Sequence, residues 1–315
     1  MDALIEAKGL SKTYGDRRAV EGLTFTVPRG AIYGILGPNG AGKSSTMRMV
    51  VGVIAPTEGE VLFDGAPLTR LAQRRIGFLP EERGLYRAMT PRAAIVYFAR
   101  LKGMKAGAAR RRAKALLAEH GLADRGHKKI RTLSKGLAQK VQLLAAIAHE
   151  PDLMVLDEPF SGLDPVNQQS LETMIRAHAA AGKTVVFSTH VMEHAERMCD
   201  RILLIAKGRM AFEGAVKDAL AHAPRSAVIE TENGFDLAAA LAPAGFAAAR
   251  EAGQGPARWR VDLANGDDPK RVLAAALQAG APLTAFEPSR VSLHEAFVSL
   301  VGAPAAAAVV GGGDA

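Results

Sequence analysis

The sequence predicts an α/β protein with a sheet-and-helix core, antiparallel strands at its N-terminal side, a helical lobe and a small α+β domain behind. Three observations predict this. Short apolar runs of strand length alternate with segments of helical period, the pattern of a sheet wrapped by helices. Residues of about 83–150 drop that alternation and become helical and basic. After Ala223-Pro224 the composition turns acidic and alanine-rich, which marks a boundary between a domain at 1–223 and one at 224–302.

Leu4–Ala7 and Val20–Val27 alternate apolar and polar residues and read as strands joined by a turn at Gly15-Asp16. Ala31–Leu36 reads as a buried strand, succeeded by a glycine-rich loop and a helix from Lys43 to about Val51. Val61–Phe63 and Ile76–Leu79 are short strands. From Thr90 to Gly121 the period is helical, with Ile95, Phe98, Ala99 and Leu101 on one side and Arg and Lys elsewhere. Lys135–His149 is another helix and Leu153–Leu156 a buried strand. Pro165 opens a helix at a favourable first-turn position. Val185–Ser188 is a strand, Val191–Met198 a helix and Ile202–Ile205 the last strand of the core. Beyond the boundary come strand 226–231, helix 235–243, strands 246–250 and 257–263, helix 269–279, strand 283–287 and helix 292–301. That βαββαβ order predicts a ferredoxin-like domain. The tail 303–315 is alanine, valine and glycine and is expected to fray.

Charge is distributed unevenly. Residues 1–220 hold 33 Lys and Arg against 22 Asp and Glu, a net +11, whereas residues 221–315 hold 7 against 10, a net −3. Residues 83–140 alone carry 16 basic and 2 acidic side chains, a net +14. Such a field attracts nucleic acid, anionic lipid headgroups or an acidic partner and does not choose among them. Aromatic residues are 5% of the chain, little material for base-stacking platforms. No apolar run approaches the roughly 20 residues of a membrane span. The opening MDALIEAKGLSK has no secretory pattern. One cysteine, Cys199, can make neither an internal disulfide nor a cysteine-rich metal site; it reads as a packing residue in a reducing compartment.

Gly37-Pro38-Asn39-Gly40-Ala41-Gly42-Lys43-Ser44 fits G-x-x-x-x-G-K-[ST], with a strand before it and a helix after it. Glycines let backbone N–H groups turn inward around phosphates, and the helix presents its positive end to the same anion. Lys43 is placed to reach the β- and γ-phosphates and Ser44 to hold Mg²⁺. Leu153–Leu156 is an apolar strand that ends in Asp157 and Glu158. Beside such a loop, Asp157 would hold Mg²⁺ and Glu158 would polarise the attacking water as general base. His190 ends a neighbouring strand, where ligands of open α/β sheets gather, within reach of a γ-phosphate.

Leu133-Ser134-Lys135-Gly136-Leu137 begins its serine 23 residues before Asp157. With Leu156-Asp157-Glu158-Pro159, Ser161-Gly162-Leu163-Asp164 and His190, this order resembles the ATP-binding-cassette (ABC) family over residues 3 to about 220. The resemblance implies that Ser134 and Gly136 touch the γ-phosphate held by another copy of the fold. Asp164 would then lie along the seam between copies. It also implies that Tyr14 stacks on adenine, with Ser45 completing the phosphate loop. The chain has one phosphate loop and one such signature, so two complete sites need a homodimer or a second ATPase subunit. Two departures stand out. Lys135 and Leu137 replace the third and fifth residues of the usual Leu-Ser-Gly-Gly-Gln. Glu81 stands where the family carries a Gln, and would serve as a Mg²⁺ and water contact. Gly77–Tyr86, the altered signature and Ser292–Phe297 resemble an export-type branch that includes sodium- and antibiotic-efflux ATPases. The resemblance therefore implies an ATP- and Mg²⁺-dependent ATPase, peripheral to the cytoplasmic face of the cell membrane. It would couple dimer closure to separate transmembrane permease subunits, with no nucleic acid expected. A soluble ABC-type ATPase acting on nucleic acid or ribosomes is the alternative.

Overall fold

A computed structural model describes residues 2–82, 84–251, 256–264, 267–288 and 291–302. The tail 303–315, expected to fray, and Arg83 of the Gly77–Tyr86 stretch lie outside the described residues. The chain forms two compact units, one running to Val216 and one beginning at Lys217.

The first unit opens with β1 (Ala3–Tyr14) and β2 (Arg17–Pro28), then β3 (Ile32–Leu36), α1 (Lys43–Val50), β4 (Glu58–Phe63), β5 (Ala66–Pro67) and β6 (Ile76–Leu79). The lobe contributes α2 (Pro91–Leu101), α3 (Ala106–Glu119) and α4 (Lys135–Ile147). The core resumes with β7 (Leu153–Leu156), α5 (Pro165–Ala180), β8 (Thr184–Thr189), α6 (Met192–Met198), β9 (Arg201–Ala206) and β10 (Arg209–Ala215). The strands form two sheets. An antiparallel one has the order β2-β1-β4-β5, and a six-stranded one the order β10-β9-β3-β8-β7-β6. In the second, β9, β3, β8, β7 and β6 run parallel and β10 alone is antiparallel.

All five residues of β3, all four of β7 and all six of β8 are buried, which explains their nearly unbroken apolar runs. A single apolar cluster joins the two sheets, running from Leu4, Phe25 and Val27 through Met47 and Met49 to Val155 and Leu203. Because parallel strands point their carboxyl ends the same way, the residues after Leu36, Leu156 and Thr189 emerge at one edge. Cys199 packs its sulfur over Gly34, where a Cβ would come within 2.8 Å of it.

One expectation is resolved further and two are corrected. The helical period from Thr90 to Gly121 is two helices, because Gly103 takes φ 101 after α2 and turns the chain. Thr90 caps the first by accepting from the Ala93 amide at 3.2 Å. Ile202–Ile205 is not the last strand: the hairpin partner β10 comes after it, through Lys207 and Gly208, both at positive φ. The first two strands are 12 residues each, longer than their apolar cores, because bulges keep a long ribbon in register across polar stretches.

The chain passes into the second unit through α7 (Val216–Leu220). Then come β11 (Arg225–Thr231), α8 (Leu237–Leu241), β12 (Ala248–Arg250), β13 (Ala257–Leu263), α9 (Pro269–Gln278), β14 (Leu283–Pro288) and α10 (Leu293–Val301). The strands form one antiparallel sheet in the order β12-β13-β11-β14. Strand β13 alternates buried Ala257, Trp259, Val261 and Leu263 with exposed Arg258, Arg260 and Asp262, so one face carries the core. Ser292 and Glu295 close a reciprocal capping box at α10.

Candidate functional site

The loop after β3 is built on glycines that nothing else could replace. At Gly37 (φ 151) a Cβ would strike the Ile205 carbonyl, and at Gly42 (φ 106) it would lie 2.6 Å from the Ala19 oxygen. With those positions open, the chain curls tightly and Lys43 folds under it. Its Nζ donates to the carbonyls of Gly37 at 2.9 Å and Pro38 at 3.2 Å. Lys43 also stands 3.2 Å from Glu158 Oε1, with both side chains less than a tenth exposed.

Strand β7 delivers the carboxylates. Asp157 is fully buried, and its Oδ1 accepts from Ser44 Oγ at 3.2 Å and from Ser188 Oγ at 2.6 Å. Its Oδ2 is buried with no hydrogen-bond partner. Glu158 adopts φ 45, a left-handed conformation of a kind that costs about 1–3 kcal/mol in a residue with a side chain. It is held there by its amide donating to Ser188 Oγ at 2.8 Å. Its Oε2 lies 3.0 Å from His190 Nδ1, so Lys43, Glu158 and His190 form a chain of charged and titratable groups.

A cavity of about 520 Å³ opens over this chain, lined by Asn39, Gly40, Gly42, Lys43, Ser44, Ser45, Glu81 and Glu158, with Tyr14, Arg17 and Ala19 at one side. Its size suits a nucleotide. Tyr14 is about half exposed, and its hydroxyl is 3.4 Å from Ser45 Oγ. Gly37, Pro38 and Ala41 shape the loop without lining the cavity, Asp157 lies behind Ser44, and His190 reaches the cavity through Glu158. Burial, and then the charges of Asp157 and Glu158, push the Glu81 carboxyl above its usual range.

Among the described residues no three His, Cys, Asp or Glu side chains form a metal cage. Mg²⁺ fits this site in the way it is usually held: one carboxylate and one hydroxyl from the protein, phosphate oxygens from the nucleotide. The orphaned Asp157 Oδ2 and the adjacent Ser44 hydroxyl are that donor set.

Ser134, Gly136 and Asp164 line no part of this cavity. Ser134 caps α4, accepting from the Leu137 amide at 3.4 Å, and Asp164 caps α5, accepting from the Asn167 amide at 3.0 Å. That bond holds the Asp164 carboxyl below its usual range. A Cβ on Gly136 would meet Asn167 at 2.5 Å, so Gly136 lets the starts of α4 and α5 approach. Lys135 crosses over Gly162 in the same way.

Two residues of the site escape the sequence pattern. Ser188 bridges Asp157 and the Glu158 amide; its signal is a hydroxyl at the end of an otherwise apolar strand. Arg17 lines the cavity, with its Nη2 3.8 Å from where a Gly40 Cβ would stand. Nothing but its place in a long hairpin brings it there.

A glycine-rich phosphate loop, a buried lysine and an acidic strand end on a parallel sheet define a P-loop nucleotide hydrolase. Comparisons narrow the class. A family model described as ABC transporter matches residues 20–161. The uncharacterized ABC transporter ATP-binding protein YhaQ of Bacillus subtilis is 37% identical over 295 residues, covering 93% of this chain and 97% of its own. Nod factor export ATP-binding protein I of Burkholderia lata is 39% identical over 238 residues, 75% of each chain. A solved ATP-binding subunit of an ABC transporter superposes with a TM-score of 0.63 at 33% identity, covering 69% of this chain and 91% of that one. The chain belongs to the ABC transporter family, as an ATP-binding, ATP-hydrolysing subunit. Among the described residues no helix is long and apolar enough to cross a membrane.

Proposed function

We propose that two copies of this chain, or one copy and a second ATPase subunit, close around two molecules of MgATP and drive an exporter from the cytoplasmic face of the cell membrane. The membrane-spanning subunits are separate polypeptides in this reading. The carrying observation is the division of the site. Lys43, Ser44 and Glu158 line one cavity with Asp157 behind Ser44, while Ser134, Gly136 and Asp164 lie outside it. The export assignment rests on relatives such as the Nod factor export protein.

In this mechanism Tyr14 stacks on adenine, and the amides from Asn39 to Ser45 hold the phosphates. Lys43 leaves the loop carbonyls for the β- and γ-phosphates. Ser44 and Asp157, with Glu81 nearby, would hold Mg²⁺, whose positive charge would stabilise negative charge on the phosphates. Glu158 takes the proton of the attacking water, and His190 fixes its carboxylate and contacts the γ-phosphate. Ser134 and Gly136 of the second copy complete the phosphate cradle, with Asp164 along the seam. We take 1–223 as the ATPase domain. On its βαββαβ order and sheet order, we take 224–302 as a ferredoxin-like accessory domain.

The test is a gentle pull-down of tagged protein from host membranes with a salt wash, combined with ATPase assays. Recovery of a polytopic membrane protein that stimulates ATP hydrolysis is the expected result. Recovery of ribosomes or nucleic acid without a membrane protein would replace it with the soluble alternative.

A further inference from the structure

An aromatic ring at the tip of a hairpin is a poor platform for a ligand unless something holds it. Tyr14 is the last residue of β1, beside the turn at Gly15 (φ 54), and its side chain is about half exposed. Two contacts hold it. Its hydroxyl is 3.4 Å from Ser45 Oγ of the phosphate loop. The Lys12 ammonium lies over the ring, 5.4 Å from its centroid, within the reach of a cation–π contact. Lys12 and Tyr14 are two residues apart on one strand and so share a face of it. Lys12 is itself anchored, because its Nζ donates to the Ala55 carbonyl at 2.7 Å. Ala55 belongs to the segment after α1, and that segment is tied back to β1 twice. The Thr57 amide donates to the Ser11 carbonyl at 2.8 Å, and the Thr13 amide to Thr57 Oγ1 at 3.1 Å. The ring is thus fixed at its hydroxyl by the start of α1 and at one face by the chain that leaves α1. Tyr14 lines the nucleotide cavity and Lys12 is not part of that lining, so the ammonium covers the ring from outside the cavity.

We propose that Lys12 is a positioning residue for the purine base, acting through Tyr14. The proposal rests on the reading of Tyr14 as the adenine platform. A half-exposed ring offers two faces and turns about its side-chain bonds. A cation fixed over one face excludes a base from it and keeps the other face toward the phosphate loop. Holding the ring before nucleotide arrives removes part of the ordering cost of binding. In this role Lys12 touches neither base nor phosphate. Lys12→Met keeps an apolar stem but loses the charge over the ring. Lys12→Arg keeps a charge, and a guanidinium stacks on an aromatic face.

The experiment titrates the full chain with MgATP and with magnesium tripolyphosphate, which carries no base, in a calorimeter. It compares the parent with Lys12→Met, Lys12→Arg, Tyr14→Ala and the double variant Lys12→Met/Tyr14→Ala, and melting temperature reports that each is folded. Lys12→Met is expected to weaken MgATP about two- to fivefold, the range of an exposed cation–π contact. Its affinity for tripolyphosphate should equal the parent's, and Lys12→Arg should restore MgATP binding. In ATPase assays KM for ATP should rise with kcat unchanged. Tyr14→Ala should weaken MgATP at least about fivefold, as loss of a stacking partner does. Adding Lys12→Met to it should change nothing further, because the ring through which Lys12 acts is gone. If Tyr14→Ala binds MgATP as the parent does, the adenine platform itself is misassigned and the proposal falls with it. Three results overturn the proposal while leaving Tyr14 its role. Lys12→Met could bind MgATP like the parent, weaken tripolyphosphate to the same extent, or add its full effect on top of Tyr14→Ala.

Discussion

The two functional ends of the first unit are unbalanced in opposite senses. At the phosphate loop three carboxylates, Glu81, Asp157 and Glu158, crowd around one lysine, and an Asp157 oxygen is buried without a partner. At the start of α4 three cations, Arg87, Arg131 and Lys135, share a cavity with no carboxylate. At the first end Lys43, Asp157 and Glu158 are buried, Lys43 and Glu158 touch one another, and Glu158 is held in a strained conformation. The second is surface: its hydroxyl and carboxylate, Ser134 and Asp164, are occupied in capping their own helices. The difference teaches that the first end is preorganised for a cation and a nucleotide within the chain. The second, in the proposed function, serves another copy.

The largest break in that comparison comes from Glu158→Gln. Loss of a general base costs about 10²–10⁴-fold in rate. The amide keeps the side chain's shape, so MgATP binding should persist while kcat collapses. Turnover at the parent rate would remove Glu158 from the role of base. Next is Ser134→Ala at the other end. Losing the cap costs about 1 kcal/mol of stability, and turnover should fall at least about tenfold if the hydroxyl serves a second copy's phosphate, as a lost donor to transition-state charge does. Nucleotide affinity of the isolated chain, read with a fluorescent ATP analogue at low protein concentration, should not change. If Ser134→Ala weakens that affinity as well, the two ends are not separate.

Arg17→Ala sharpens the phosphate-loop side. Arg17 stands on the loop at Gly40 and has no ion-pair partner among the described residues. An exposed contact of this kind with a nucleotide phosphate contributes about 1 kcal/mol, so KM for ATP should rise about fivefold with kcat unchanged. The ratio of ATP to AMP affinity identifies the contact: a loss confined to ATP places Arg17 on the outer phosphates. Unchanged affinity for both leaves it a solvated side chain.

Legibility tracks locality. The phosphate loop, Asp157-Glu158 and the strands that carry them can be read because spacing along the chain is also spacing in space. Buried parallel strands are nearly continuous apolar runs, and the glycines mark where the backbone must turn. Ser188 and Arg17 are not legible, because each reaches the site across strand pairings that no local pattern encodes. The hairpin partner β10 is hidden because its residues are mostly half-exposed and its alternation is weak. The break between α2 and α3 is masked by helical periods that continue on both sides of Gly103. The charge imbalance at Arg87 and Arg131 needs the structure too. The sequence shows a basic lobe, and only the structure shows two of its arginines held together, the Arg131 amide donating to the Arg87 carbonyl at 3.1 Å.

The smallest expected effect is also the most direct reading of the carboxylate crowding. Glu81 is exposed, yet partial burial and the charges of Asp157 and Glu158 raise its folded-state pKa above the ordinary value of 4.5. For a carboxyl shifted in that direction the native state holds its proton more tightly than the unfolded chain. Stability therefore declines as pH rises from about the unfolded value through the folded one, and the penalty is fully present above it. Glu81→Gln removes the charge, so its melting temperature should exceed the parent's slightly at pH 8 and match it at pH 4. Adding Mg²⁺ and nucleotide should reverse the order at pH 8, because the carboxylate then faces a cation that the amide cannot pair with as strongly. Equal melting temperatures at both pH values would place Glu81 outside the carboxylate cluster. An excess at pH 8 that persists with Mg²⁺ and nucleotide would keep it in the cluster but away from the metal.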